Sequence, residues 1–334
     1  MKLPLTLACG IYDRTFGLRD GTVGVEGVDL NYLPMMPVET FRRQARHAEF
    51  DAAEFSLCTY MMLHSRGDRR FVGIPVFPSR RFRHEHVWIN TTSGIRSPRD
   101  LAGKRVGVEE FLQTAALWIR GFFQHDYGVR AEDVEWHFGG YNQPDPHFAH
   151  RIELELASGI RSRVIPGDQS IDALLARGDL DAAFPKLPMS FRRGAPNVER
   201  LFPNFREVEE DYFKRTRIFP IMHIVVVRRE IYEQHRWVVQ ALYKGFVEAK
   251  KVAMTRLTTS PPLPVTLPWL TDHIARTREV MGDDYWSYGL AENRHVLETA
   301  ATYAWEQGLL AAPIARIDDL FAPETHAGVL HLPA

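Results

Sequence analysis

The chain has 334 residues, 45% hydrophobic and 25% charged, the balance of a soluble globular protein with material for one large or two ordinary domains. Its 41 Lys and Arg against 42 Asp and Glu leave a formal net charge of -1, so bulk electrostatics gives no reason to expect nucleic acid or a membrane surface as partner. No stretch approaches the ~18 apolar residues of a membrane helix, and MKLPLTLACGIYDRT passes from a short apolar run into a polar turn rather than into an export signal, so a cytoplasmic location is expected.

Short apolar runs alternate with helical patterns almost from end to end, which predicts an α/β fold with helices packed on mixed, mostly parallel sheets. KLPLTLAC reads as a first strand, VETFRRQARHAEF as a helix, and DAAEFSLCT as a second strand running into its loop. After the proline-marked crossing IPVFPSRRFRHEHVWIN, Ser97 and Pro98 mark a capped helical turn ahead of the strand in KRVGV. Ala115, Trp118, Ile119 and Phe122 then recur at helical spacing, with Gly128 as the stop, and Ile171, Leu174 and Leu175 repeat the pattern. TRIFPIMHIVVVRREIY supplies a strand returning to the first lobe. Helices carrying Val238, Leu242 and Phe246, and later Val296, Ala300 and Tyr303, follow on either side of an extended connector, TSPPLPVTLPWL. Two lobes are expected, one from 1–85 plus 219–334 and one from 86–218.

Ligands of open α/β sheets sit beyond the carboxyl ends of strands, so the strand-end loops are the places to look for chemistry. The first strand ends in Gly10-Ile11-Tyr12-Asp13-Arg14, a phenol, a carboxylate and a guanidinium in succession; an ordinary turn accounts for them equally well. The second reaches Glu54, Ser56 and Cys58, where Ser56 and Thr59 also suit a helix cap. PSRRFRHEH places Arg80, Arg81, Arg83, His84 and His86 at the lobe boundary, either as a solvated face or as a fork-shaped grip on a carboxylate. His84 and His86, read as alternating on a strand, have the spacing of two metal ligands, but no third ligand accompanies them. Gln113 and Thr114 open a helix where free amides receive anions. His223 follows Phe219-Pro220-Ile221-Met222, a setting for a core histidine or a proton carrier. Cys9 and Cys58 lie in apolar segments and are expected to be buried free thiols. There is no GxSxG, no P-loop and no GxGxxG after the first strand.

The segments LACGIYDRT, EFDAAEFSLCTY, IPVFPSRRFRH, SPRDLAGKRVGV with EFLQTAALWIRG, RIFPIMHIVVVRREIY and DDYWSYGLAENRHVLETAATYAWEQGL together make the sequence resemble the 4,5-dihydroxyphthalate decarboxylase family of the periplasmic-binding-protein superfamily, type II. The resemblance spans nearly the whole chain and implies two lobes with an interlobe cleft, in which 4,5-dihydroxyphthalate loses carbon dioxide to give protocatechuate. Each hydroxyl of that substrate is para to one carboxylate, so an ionised hydroxyl drives electron density to the carbon that loses carbon dioxide, and no organic cofactor is required. Arg80 or Arg81 would hold a carboxylate, His84 or His223 would handle the proton, and Asp13 or Glu54 would orient that histidine or the catechol. Tyr12, Arg14, Ser56, Gln113 and Thr114 would complete the shell. The alternatives are a non-catalytic solute-binding protein for a small carboxylate and a metal-dependent relative using His84 and His86. A homo-oligomer joined through the apolar C-terminal helices is left open.

Overall fold

The computed structural model describes residues 1–147, 156–259 and 262–329. Two residues of the expected connector, Ser260 and Pro261, lie outside the described residues. Eleven strands are described: β1 Leu3–Cys9, β2 Val28–Pro34, β3 Ala52–Ser56, β4 Phe71–Ile74, β5 Trp88–Asn90, β6 Arg105–Val108, β7 Glu135–Phe138, β8 Arg161–Val164, β9 Ala182–Ala183, β10 Val198–Arg200 and β11 His223–Arg228. No helix of the described residues is long and apolar enough to cross a membrane.

The chain divides into two compact units, unit 1 from 1–80, 217–298 and 314–334, and unit 2 from 81–216 and 299–313. The expected boundary at 85/86 falls instead at 80/81, where Arg80 is tied by its guanidinium to Phe219 and Ser287 of unit 1 while Arg81 pairs with Glu85 of unit 2. Residues 299–313, expected in the first lobe, group with unit 2. There Tyr303 lies so close over Gly121 that a Cβ on the glycine would meet its ring at 1.9 Å. Gln307 accepts from Arg120 Nε at 2.8 Å and donates to Leu117 O at 3.0 Å.

Unit 1 is built on a five-stranded sheet in the order β2-β1-β3-β11-β4. β1 is parallel to both β2 and β3, whereas β11 is antiparallel to β3 and β4. β2 was absent from the sequence reading, although VDLNYLP is an alternating, partly buried edge segment. β3 is buried throughout and passes without a loop into the helix Leu57–Ser65, whose first turn Ser56 caps by accepting from Thr59 N at 3.3 Å. The long helix Val238–Thr259 buries Val238, Leu242 and Phe246, as the periodicity predicts.

Unit 2 carries a six-stranded sheet in the order β10-β5-β9-β6-β7-β8, again mixing parallel and antiparallel pairs. Its core gathers Trp88, Ile171, Leu175, Leu180 and Val198. The helix Thr114–Tyr127 ends at Gly128, whose φ of 72° is the left-handed stop that glycine supplies without strain. The Ser97 turn is confirmed: Asp100 accepts from Ser97 N at 2.8 Å ahead of β6.

Candidate active site

Three strands of unit 1 end or begin at one edge of its sheet. β1 ends at Cys9, β3 carries Glu54 two residues from its end, and β11 starts at His223. Because His223 lies opposite Ser56 and Val225 opposite Glu54 in an antiparallel register, Glu54 and His223 are diagonal neighbours on one face. Their side chains meet: His223 Nδ1 is 2.5 Å from Glu54 Oε1.

Glu54 is fully buried, and its two oxygens are occupied by donors from three directions. Tyr12 donates its hydroxyl to Oε1 at 2.7 Å, and the Gly10 amide donates to Oε2 at 2.7 Å. The Cys9 thiol lies 3.6 Å from Oε2. Burial opposes ionisation of this carboxyl, but the charge of His223 and the hydrogen bonds from His223, Tyr12 and Gly10 outweigh it and hold the group below the usual carboxylate range. The ionised carboxylate accepts, so it fixes the imidazole with its proton on Nδ1 and leaves Nε2 for chemistry. The edge of Phe41, 4.8 Å from the imidazole, supports the ring from one side.

The neighbours follow from the same charge. Burial and the Glu54 carboxylate both push the Cys9 thiol well up, so it is a protonated, unreactive group rather than a nucleophile. Burial, again aided by Glu54, raises the Tyr12 phenol and keeps it a donor. Gly10 makes the Tyr12 contact possible, since a Cβ at that position would sit 2.8 Å from the Tyr12 ring.

Arginines frame this edge. Arg14 lies between the rings of Tyr12 and Trp286, its guanidinium carbon 4.3 and 4.0 Å from their centroids, and its Nε donates to Pro78 O at 2.6 Å. Asp13 is not at the histidine: its side chain is 54% exposed and accepts from Arg14 Nη1 at 3.1 Å. Arg80 is buried and donates to Phe219 O at 3.1 Å, to Ser287 O at 2.7 Å and to Asn293 Oδ1. Arg81 is an exposed member of unit 2 paired with Glu85 at 3.2 Å, so of the two arginines only Arg80 belongs to the unit that holds Glu54 and His223.

His84 and His86 require correction. They lie in one 3-10 turn, His84–His86, not on a strand, because the helical hydrogen bond of His86 N to Arg83 O interrupts any ladder. The His84 ring stacks on Phe122 at 4.1 Å, with Phe202 and Tyr212 on its other sides, and burial lowers its pKa to about 3. It is a neutral core histidine of unit 2 enclosed by aromatic rings, surroundings that do not fit the expected catalytic role. Among the described residues no three His, Cys, Asp or Glu side chains converge as a metal ligand set, at His84 and His86 or elsewhere.

Gln113 and Thr114 do open the helix Thr114–Tyr127 of unit 2. Gln113 Nε2 donates to Glu109 Oε2 at 2.8 Å, and Glu109 is paired with Lys186. Glu109 and Lys186 line a polar cavity of about 280 Å³ together with Tyr141 and Asn142. A larger cavity of about 820 Å³ lies at the opposite end of the unit 1 sheet, where β11 ends and β4 begins, lined in part by Arg69, Arg229 and Asp319. It is open and far from the Glu54 edge in the strand register, so its size does not make it the site. Sequence reasoning missed Trp286, Tyr288, Asn293 and Lys186. The first three fall in or just after the aromatic run YWSYG, an available signal that lay outside any strand end.

No family model matches the chain. A 4,5-dihydroxyphthalate decarboxylase of Comamonas testosteroni is 41% identical over 309 residues, 92% of this chain and 93% of that protein. A second protein of that name, from Pseudomonas putida, is 37% identical over 214 residues, 64% of this chain and 82% of its own length. Among solved structures, the periplasmic aliphatic sulphonate binding protein SsuA from Escherichia coli superposes with a TM-score of 0.53 at 13% identity, covering 98% of this chain and 99% of its own. The desulfurization enzyme DSZB superposes with a TM-score of 0.51 at 15% identity, covering 98% of each chain. These two likenesses concern the fold, which is the two-lobed α/β type of the solute-binding proteins and is shared by a binding protein and an enzyme. Identity of 41% across nearly the full length of both proteins is a different order of likeness, and by it the chain belongs to the 4,5-dihydroxyphthalate decarboxylase family.

Proposed function

We propose that this protein is a carboxy-lyase that converts 4,5-dihydroxyphthalate to protocatechuate and carbon dioxide, with His223 as the proton carrier and Glu54 as the group that positions it. The observation that carries the assignment of roles is the 2.5 Å contact between His223 Nδ1 and the buried, ionised Glu54. A buried carboxylate on one ring nitrogen fixes the ring's orientation, so Nε2 presents a proton in a fixed direction. As the para hydroxyl loses its proton, its electron pair enters the ring, and the carbon bearing the departing carboxylate takes the proton from Nε2. The bond to that carboxylate breaks, its electron pair restores the aromatic ring, and the hydroxyl is reprotonated. Net, one proton is consumed and one carbon dioxide leaves.

Glu54 is not the catechol base, because its oxygens already receive Tyr12, Gly10 and His223. Of the two roles open to it, orienting the histidine fits. The substrate is a small aromatic dicarboxylate. A cytoplasmic compartment is part of this proposal.

The test is incubation with 4,5-dihydroxyphthalate while carbon dioxide and protocatechuate are followed, repeated in D2O to find deuterium at the ring carbon that lost its carboxylate. Saturable binding with no product would replace this reading by that of a solute-binding protein. Cell fractionation checks the compartment.

A further inference from the structure

Two buried donors in unit 1 have no acceptor. Tyr288 is 5% exposed and its hydroxyl has no hydrogen-bond partner among the described residues; Arg80 is 6% exposed and its Nε is equally unpartnered. Buried polar groups are almost always satisfied in folded proteins, so a pair of orphans in one neighbourhood asks for a missing partner. They do share a neighbourhood. Trp286 stacks on Arg14, and the carbonyl of Ser287 accepts from Arg80 at 2.7 Å, so the segment ending in Tyr288 runs between the two guanidinium groups. The Tyr288 phenol interacts electrostatically with both.

The charge count points the same way. Arg80 meets only neutral acceptors, and among the described residues no carboxylate reaches it at ion-pair distance. Arg14 has a single carboxylate partner, the half-exposed Asp13. The Arg80 Nε–H can only donate and the Tyr288 hydroxyl is free to donate, and between them Arg14 and Arg80 have one carboxylate at ion-pair distance among the described residues, that of Asp13. A hydroxyl or a guanidinium N–H can be satisfied by water, but a planar carboxylate satisfies both and supplies the charge.

We infer that Arg14, Arg80 and Tyr288 form the subsite for the carboxylate that the substrate keeps, with Tyr288 O–H and Arg80 Nε–H as its hydrogen-bond donors; this rests on the decarboxylase reading above. The assignment to the retained group follows from the chemistry of the departing one. A carboxylate gripped by two cations is stabilised as an anion, which opposes the loss of charge that carbon dioxide formation requires. The grip therefore protects whatever it holds. Protocatechuate still has a carboxylate para to a hydroxyl, yet that group sits in the grip, so the reaction stops after one carbon dioxide.

Tyr288→Phe removes only the hydroxyl. Melting of the unliganded protein, and calorimetric binding of 4,5-dihydroxyphthalate, protocatechuate and catechol, are compared with the unsubstituted protein. The variant is expected to melt at or above the parent temperature, because an unsatisfied buried hydroxyl is lost. It is expected to bind both carboxylates about tenfold more weakly, the worth of one hydrogen bond to a charged group, and catechol equally well. KM should rise by a similar factor, and Arg14→Gln should weaken the same two ligands. Equal affinity for protocatechuate in parent and variant, a lower melting temperature of the unliganded variant, or no carboxylate-dependent binding by the parent would overturn the subsite. Tyr288-dependent binding without release of carbon dioxide would leave the subsite standing and overturn the decarboxylase reading instead.

Discussion

His223 Nδ1 and Tyr12 Oη both converge on Oε1 of Glu54, at 2.5 and 2.7 Å, so one carboxylate oxygen sets the positions of an imidazole that opens β11 and a phenol from the loop after β1. The geometry predicts that His223→Gln lowers turnover of 4,5-dihydroxyphthalate by at least about 100-fold, the usual worth of a positioned acid or base, while binding changes by only a few-fold. Glu54→Gln keeps the shape but removes the charge, and should lower kcat in the same direction by a smaller factor. Steady-state kinetics alongside calorimetric binding separates the two effects. A His223→Gln variant with full turnover would sink the proton-carrier role.

Acid should act on the same pair. The Glu54 carboxyl is held below its ordinary value in the folded protein, so the unfolded chain binds the proton first as pH falls. Its stabilising contribution is therefore fully present above about pH 4.3, the ordinary glutamate value, and is lost as pH drops through the lower folded value. Denaturant titrations at a series of acid pH values should show the parent losing stability relative to Glu54→Gln over that range.

His84 gives a second and separable acid response. Burial lowers its pKa to about 3, so the folded state keeps it neutral while the unfolded state protonates near the ordinary histidine value of about 6.5. Stability is intact above that value and falls between there and about 3, at about 1.4 kcal/mol per pH unit for one histidine. His84→Phe should flatten this part of the profile, measured by thermal melting from pH 7 to 4, and should retain turnover at neutral pH because the ring fills an aromatic site rather than an active one. Loss of turnover with an unchanged melting temperature would return His84 to the catalytic list.

Gly10 and Tyr12 should behave as one unit. A methyl group on Gly10 would meet the Tyr12 ring at 2.8 Å and push its hydroxyl off Glu54. Gly10→Ala is expected to lower kcat and to cost about 1 kcal/mol, the net worth of a hydrogen bond. In a Tyr12→Ala background the added methyl meets no ring, so the double variant should be little worse than Tyr12→Ala alone. Additive losses in the four-member cycle would show that the glycine serves some other purpose.

Tyr12, Glu54 and His223 could each be named from sequence because each stands at or near a strand end, and strand ends are where local patterning is strongest. Their union could not, since it depends on β11 returning antiparallel beside β3, and register between segments so far apart is set by packing of the whole sheet. The alternation of His84 and His86 suggested a strand, but the turn they form and the aromatic stack around His84 are decided by Phe122, Phe202 and Tyr212, far along the chain. Arg80 and Arg81 are adjacent and chemically identical, and only burial separates them. Tyr288 was passed over for a different reason: its aromatic run stands at no strand end, and its interest lies in the partner it lacks, which only the folded chain reveals.

The antiparallel return of β11 also has a bearing on how the molecule is made. Glu54 leaves the ribosome 169 residues ahead of the histidine that neutralises it, and nearly all of unit 2 is synthesised in between. Until β11 arrives, β3 and β4 lack the strand that joins them, and the carboxylate on β3 has no counter-charge to make its burial tolerable. All six strands of unit 2 are made while the first strands of unit 1 wait half-formed, and only its last segment, 299–313, follows β11. The residue that completes the reaction centre is thus also the one whose arrival lets the nascent sheet shut.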